Sequence, residues 1–202
     1  MVEKQIKRQQ ANGSMDFEGL MKTLKYLLDA AWGSDWGRFS PDGPNVTDPR
    51  NVEYPIVTYG LKELRPGQIG KSGTREIKPR YRHMDRTRDV NGTQPPAITI
   101  YGQVMEGEVT FEVWEETNAQ ADEMARQLRA LIAAYAGYLK EKGLKEIIFL
   151  KQETGSLSGL IQDSHKVRVL TYFVKFEELN EVPTDIFRVM DVVDKRLQEE
   201  LM

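Results

Sequence analysis

The chain has 202 residues, no cysteine, a formal net charge of −3, and a composition that is 40% hydrophobic and 29% charged. That length suits one domain with embellishments or a domain plus arms, and the hydrophobic share is enough for a core. The composition excludes disulfides, thiolate metal sites and thiol catalysis, fits synthesis in the cytoplasm, and argues against generic DNA binding over the whole surface; no apolar run approaches the roughly 20 residues of a membrane span.

Residues 1–13 are polar and basic and read as a frayed arm with no signal peptide. Ser14 or Asp16 then opens a helix over 16–31. Phe17, Leu20, Met21, Leu24, Leu27, Leu28 and Ala31 form its apolar stripe, and Gly33 stops it. Residues 32–51 carry prolines and Gly/Asp turns and read as a loop without regular structure. Its aromatics Trp32, Trp36 and Phe39 either anchor an interface or cover the core beneath. Residues 54–61 form the first strand, with Pro55 marking its start or an edge.

Residues 62–96 are an unusually long connection, expected as a basic loop or hairpin excursion. Between 62 and 88, nine bases (Lys62, Arg65, Lys71, Arg75, Lys78, Arg80, Arg82, Arg86, Arg88) face three acids (Glu63, Glu76, Asp85). The segment is therefore +6 and the remainder −9. Within it, residues 77–84 alternate as a polar strand. Three readings of these charges stand open: contacts to nucleic-acid phosphates with Tyr81 stacking, pairing with an acidic surface of another copy, or simple solvation.

Residues 97–150 organise the domain as strand, tight turn, strand, helix, strand. Glu106-Gly107 supplies the turn of a hairpin. Val109, Phe111 and Val113 face one way, with Glu108, Thr110, Glu112 and Trp114 opposite. Thr117-Asn118 caps a long helix over 118–142. Ala121, Met124, Ala125, Leu128, Leu131, Ile132, Tyr135 and Leu139 form its stripe, and Gly143 ends it before a strand at 145–150. Residues 153–164 are a Ser/Gly loop. Residues 165–177 are apolar on both faces, so both faces need a cover, one of them a further element or a partner. A last amphipathic helix presents Ile186, Met190, Val193 and Leu197.

No motif carries chemistry. The run Gly67 to Ser72 resembles a phosphate loop, but its first glycine is replaced by Arg65. His83 and His165 have no ligand-spaced partners, and the acids Glu106, Glu108, Glu112, Glu115 and Glu116 read as a solvated face. Ser156 and Ser158 lack a nucleophile elbow. The expectation is a chain that is not an enzyme, with no catalytic residue, cofactor or metal.

The element order, the early helix followed by YPIVTYG, the stretch GEVTFEVWEETNAQADEMARQLRALIAAY, and Gly143 with the returning EIIFL resemble the tail terminator (tail completion) and neck proteins of tailed bacteriophages, over about residues 15–178. The resemblance implies an α+β fold, a mostly antiparallel sheet with two long helices packed on it; the basic excursion and the C-terminal helix are read from the residues themselves, and the terminal helix and the loop around Trp36 go beyond the family pattern. With the residue readings above, the chain divides into a flexible arm at 1–13, one domain of the resembling fold at 14–180 with the excursion at 62–96, and a helical extension at 181–202. The resemblance implies a structural virion protein, made in the host cytoplasm, that closes into a homo-oligomeric ring, commonly six-fold. The ring caps the tail tube and meets sheath, neck or connector proteins, with DNA passing its lumen without sequence-specific contact. Other readings are a neighbouring neck or head-completion protein of the same fold and a nucleic-acid-binding module. The candidate interface residues are Arg65, Lys71, Arg75, Arg80, Arg82, Arg86, Arg88, Trp36, Glu115, Glu116, Ile186, Met190, Val193 and Leu197.

Overall fold

The computed structural model describes residues 14–43, 53–69, 73–85, 98–155 and 165–183. Its order is α1 (Phe17–Trp32), β1 (Arg38–Ser40), β2 (Ile56–Pro66), β3 (Gln68–Ile69), β4 (Thr74–Arg75), β5 (Arg80–Asp85), β6 (Ile98–Glu115), α2 (Asn118–Ala134), α3 (Ala136–Glu141), β7 (Leu144–Thr154) and β8 (Lys166–Pro183). The architecture is α+β. One sheet runs β1-β2-β6-β8-β7, with β5 also on β6, and every pairing is antiparallel except the short β1–β2 contact.

The hairpin expected at Glu106-Gly107 does not form. Both residues lie inside the 18-residue strand β6, and Gly107 sits opposite Leu64 on one side and Val174 on the other. The glycine is there for close approach: a Cβ at Gly107 would come within 2.5 Å of the Glu63 carbonyl oxygen, next to the register shift in β2. The sheet is accordingly built on two 18-residue strands, β6 and β8. The first strand also outruns its expected end, so that 62–66 belong to the sheet rather than to the excursion.

The core lies on one face of this sheet. Val109, Phe111 and Val113 on β6 and Leu170, Tyr172, Val174 and Phe176 on β8 are buried beneath Leu20, Leu24, Leu27 and Leu28 of α1 and Leu128, Leu131 and Ile132 of α2. Asp16 caps α1 by accepting from the Gly19 amide at 2.8 Å, and Thr117 caps α2 through the Gln120 amide. The single long helix expected over 118–142 is instead two. Tyr135, with φ −96° and ψ 9°, separates α2 from α3, close to Gly137, a weak helix former. The stripe still runs across the break, since Leu139 is fully buried. Arg38–Ser40 forms a short strand parallel to β2 where a plain loop was expected. β7 includes Glu153 and Thr154, the first residues of the expected Ser/Gly loop, and 156–164 lie outside the described residues. β8 runs to Pro183, so 181–183 are strand, and the remainder of the expected C-terminal helix lies outside the described residues.

The opposite face of the sheet is covered at its two ends by the chain itself. At one end Ile56, Trp114 and Val167 cluster with Tyr54 and Val169. At the other end the chain after β2 folds back over Val104, Glu106 and Lys175 as a small hairpin, β3–β4. Between them Phe173 remains half-buried and Ile148 exposed.

Candidate functional site

The excursion is held to the sheet by buried carboxylates rather than by apolar packing. Glu76, fully buried, accepts the Val104 amide at 2.7 Å and an Arg82 N–H at 2.8 Å, while Gln103 donates to its carbonyl. Its amide donates to the Gly67 carbonyl, and the Gly67 amide donates to Val104. Glu106, 6% exposed, accepts the Gln68 amide and pairs with Lys175, whose ammonium also donates to the Gln68 carbonyl. Glu177 receives Arg82 at 2.7 Å and Lys145 at 2.6 Å. Burial pushes the Glu76 carboxyl up, but the hydrogen bond from Arg82, the Val104 amide, and the charges of Arg82 and Arg80 together hold it below its ordinary value. Glu106 is lowered in the same way: burial is outweighed by the Gln68 amide and the cations Lys175 and Arg75. For Glu177, burial is outweighed by Lys145 and Arg82. These carboxylates are ionised and paired, the condition under which a buried acid is tolerated.

Fixed in this way, the segment turns a basic and partly apolar face outward. Arg75, Lys78 and Arg80 are exposed, Ile77 is 81% exposed and Tyr81 57%. Arg75 donates to the Pro66 carbonyl at 3.0 Å, which steadies the guanidinium without neutralising it. Tyr81 packs edge-on against Tyr101, with ring centroids 6.4 Å apart.

The candidate interface residues scatter. Arg75 and Arg80 share the outward face. Arg65 stands on β2 beside Glu63 at 3.3 Å. Arg82 is turned inward to Glu76 and Glu177 and serves the fold. Lys71, Arg86, Arg88, Ile186, Met190, Val193 and Leu197 lie outside the described residues. Trp36 covers the core: it packs edge-on against Trp32 at 5.1 Å, and its indole N–H donates to Asp29. Glu115 is buried, and burial, reinforced by the charge of Glu116, raises its pKa; Glu116 is exposed. Of the acids nearby, Asp122 is taken by Arg168, Glu123 by Arg126 and Gln127, and Glu112 accepts from Thr58. The acids Glu106 and Glu115 are therefore not a solvated face.

Sequence reasoning missed Glu76 and Glu106 as structural groups. Glu76 carried a faint signal, an acid set among bases, whereas Glu106 was hidden behind a false turn. It also missed the corner where the Tyr54 hydroxyl is hydrogen-bonded to Nδ1 of His165, a residue 111 positions away. Burial, with Lys166 nearby, holds that imidazole below its ordinary pKa. Asn118, Thr154, Lys166 and Arg168 surround a small cavity with it. Among the described residues no group of three or more His, Asp or Glu is placed to hold a metal ion, and no helix is long and apolar enough to cross a membrane.

The fold defines an α+β protein with a mostly antiparallel sheet. Comparison of the sequence with known protein families gives no match, and comparison with curated proteins gives none either.

Proposed function

We propose that this chain is a structural assembly protein of a tailed phage, a tail terminator or a neighbouring neck protein. In this reading it acts without catalysis, in the virion, as a homo-oligomeric ring, with six-fold symmetry the first expectation. Its partners are the tail tube or sheath on one side and the connector on the other, and DNA passes the lumen. The observation that carries the reading is the fixed, outward-facing basic surface of Arg75, Ile77, Lys78, Arg80 and Tyr81. A loop bolted down by buried ion pairs is ordered before it meets a partner, and pre-ordering removes part of the cost of binding. Its charge opposes that of the remainder of the chain, and charged surfaces of opposite sign steer association and fix register.

Mass in solution by light scattering, with negative-stain images, tests this. The expected result is a ring-shaped oligomer whose formation weakens as salt rises, and which Arg75→Glu with Arg80→Glu disrupts while the monomer stays folded. A monomer at all concentrations overturns it. Tyr81, exposed among cations, also suits base stacking. If the double variant assembles normally and loses only affinity for DNA, the nucleic-acid-binding reading replaces this one.

A further inference from the structure

We infer that the cavity beside His165, between the start of α2 and the neighbouring ends of β7 and β8, is a binding site for a phosphate group. The site is separate from the basic face of the excursion, and its test stands apart from the oligomeric state.

The cavity measures about 180 Å³ and is lined by Asn118 of α2, Thr154 at the end of β7, and the run from His165 to Arg168 at the start of β8. That is below the roughly 300–1,000 Å³ of pockets that enclose whole small molecules, so the space suits a group of a few atoms. The telling residue is His165, which is 1% exposed. Its Nδ1 is taken by the Tyr54 hydroxyl, and its Nε2 is buried without a hydrogen-bond partner. A phenol donates to imidazole more readily than it accepts from it, and burial, with the charges of Glu116 and Glu115, keeps the proton on Tyr54. The hydroxyl is therefore the donor in this bond, and Nε2 carries the ring N–H. With Nδ1 taken, Nε2 is the polar atom the ring has left to offer the cavity. Leaving a buried donor unpaired is costly, so a ligand oxygen gains more there than at the surface.

The remainder of the lining also offers donors. Among the described residues Arg168 uses four of its five N–H groups, two on Asp122, one on Asn118 and one on the Val167 carbonyl, and keeps one. Because the Asn118 side-chain oxygen accepts from Arg168, its amide N–H groups remain to be given. Lys166 adds a positive charge, and Asn118 opens α2, whose positive end favours an anion. Among the described residues no carboxylate lines the cavity. Both oxygens of Asp122 are turned to Arg168, and Glu115, opposite Lys166 in register, and Glu116 lie outside the lining. Donors that converge from α2 and β8 on so small a space call for an acceptor-only group. A phosphate presents oxygens in several directions, whereas a carboxylate presents two in one plane, so the tetrahedral anion is the better match.

The chain has two histidines, so imidazole nitrogen NMR reads the site directly. The full chain, made with isotope-labelled histidine, is titrated with inorganic phosphate at fixed pH and ionic strength. The expected result is a saturable shift of the His165 Nε2 resonance, together with a melting temperature that rises with phosphate. Lys166→Gln, at a half-buried position outside the core, should weaken binding about tenfold and leave the protein folded. Acetate at the same concentrations should leave His165 unmoved. Methyl phosphate separates the sources: an equal response assigns the site to the phosphate end of a larger molecule, and a response to inorganic phosphate alone assigns it to the free ion, either of which supports the site. Absence of a saturable shift at His165, a response at His83 alone, an equal response to acetate, or binding that Lys166→Gln leaves unchanged overturns it, with the assembly reading untouched.

Discussion

The two faces of the sheet are closed by different physics. On one, α1, α2 and α3 bury leucine, isoleucine, methionine and alanine against Phe111, Leu170 and Phe176. On the other, a short segment is fastened by Glu76, Glu106, Glu177, Arg82, Lys145 and Lys175. Apolar burial is additive and tolerant of small shifts, because each contact is weak and non-directional. Buried ion pairs are directional, and losing one partner leaves an uncompensated charge. The helix face is therefore built to persist, whereas the excursion is built to hold one geometry.

The sharpest way to break the helix face is Leu128→Asp. Leu128 is 1% exposed in the middle of the core, so a carboxylate there has no partner. A loss on the order of 4 kcal/mol is expected in urea unfolding. A variant that melts like the parent would mean the stripe of α2 is not the core.

Next in size is Glu76→Ala, which leaves the Val104 amide without its side-chain acceptor and Arg82 with Glu177 alone. The expected loss is about 2–3 kcal/mol. Hydrogen exchange should speed up at Val104 and Glu76 and not at the amides of α2. Arg82→Glu should act in the same direction, since it removes the cation shared by Glu76 and Glu177. Equal acceleration over both faces would remove the distinction between them.

Acid offers a graded version of the same experiment. Glu76, Glu106 and Glu177 are all held below their ordinary values. A carboxyl whose folded pKa is depressed contributes stability that is fully present above its unfolded pKa and is lost as pH falls through the folded one. The excursion should therefore loosen as pH drops below about 4, the ordinary carboxyl range. The helix face should keep its protection there. Exchange that is independent of pH at Val104 and Gln68 would argue against this.

The smallest effect on stability is expected for Arg75→Glu with Arg80→Glu. Both side chains are exposed, but Arg80 lies 3.9 Å from Glu76 and both charges help hold buried carboxylates ionised, so monomer stability should fall by about 1 kcal/mol, less than for Glu76→Ala, measured by thermal unfolding. A large loss of stability would place these arginines in the fold alongside Arg82.

Local pattern in the sequence determined a good part of this protein. Helical spacing of leucines located α1 and α2, Asp16 and Thr117 announced their starts, and alternation assigned Val109, Phe111 and Val113 to one face of a strand. These signals are local because a helix or strand repeats over a few residues and its buried face must be apolar. Tertiary structure alone decided the rest. Gly107 reads as a turn until the approach of Glu63 is known, and Arg80 and Arg82 read alike until Glu76 and Glu177 claim the second while Glu76 alone grazes the first. Tyr54 meets His165, and Glu76 meets Val104, across separations of 111 and 28 residues that no period records. A charge costs little in water and much in a low-dielectric interior, so whether an acidic residue is a solvated group or a structural bolt is fixed by what the folded chain brings beside it.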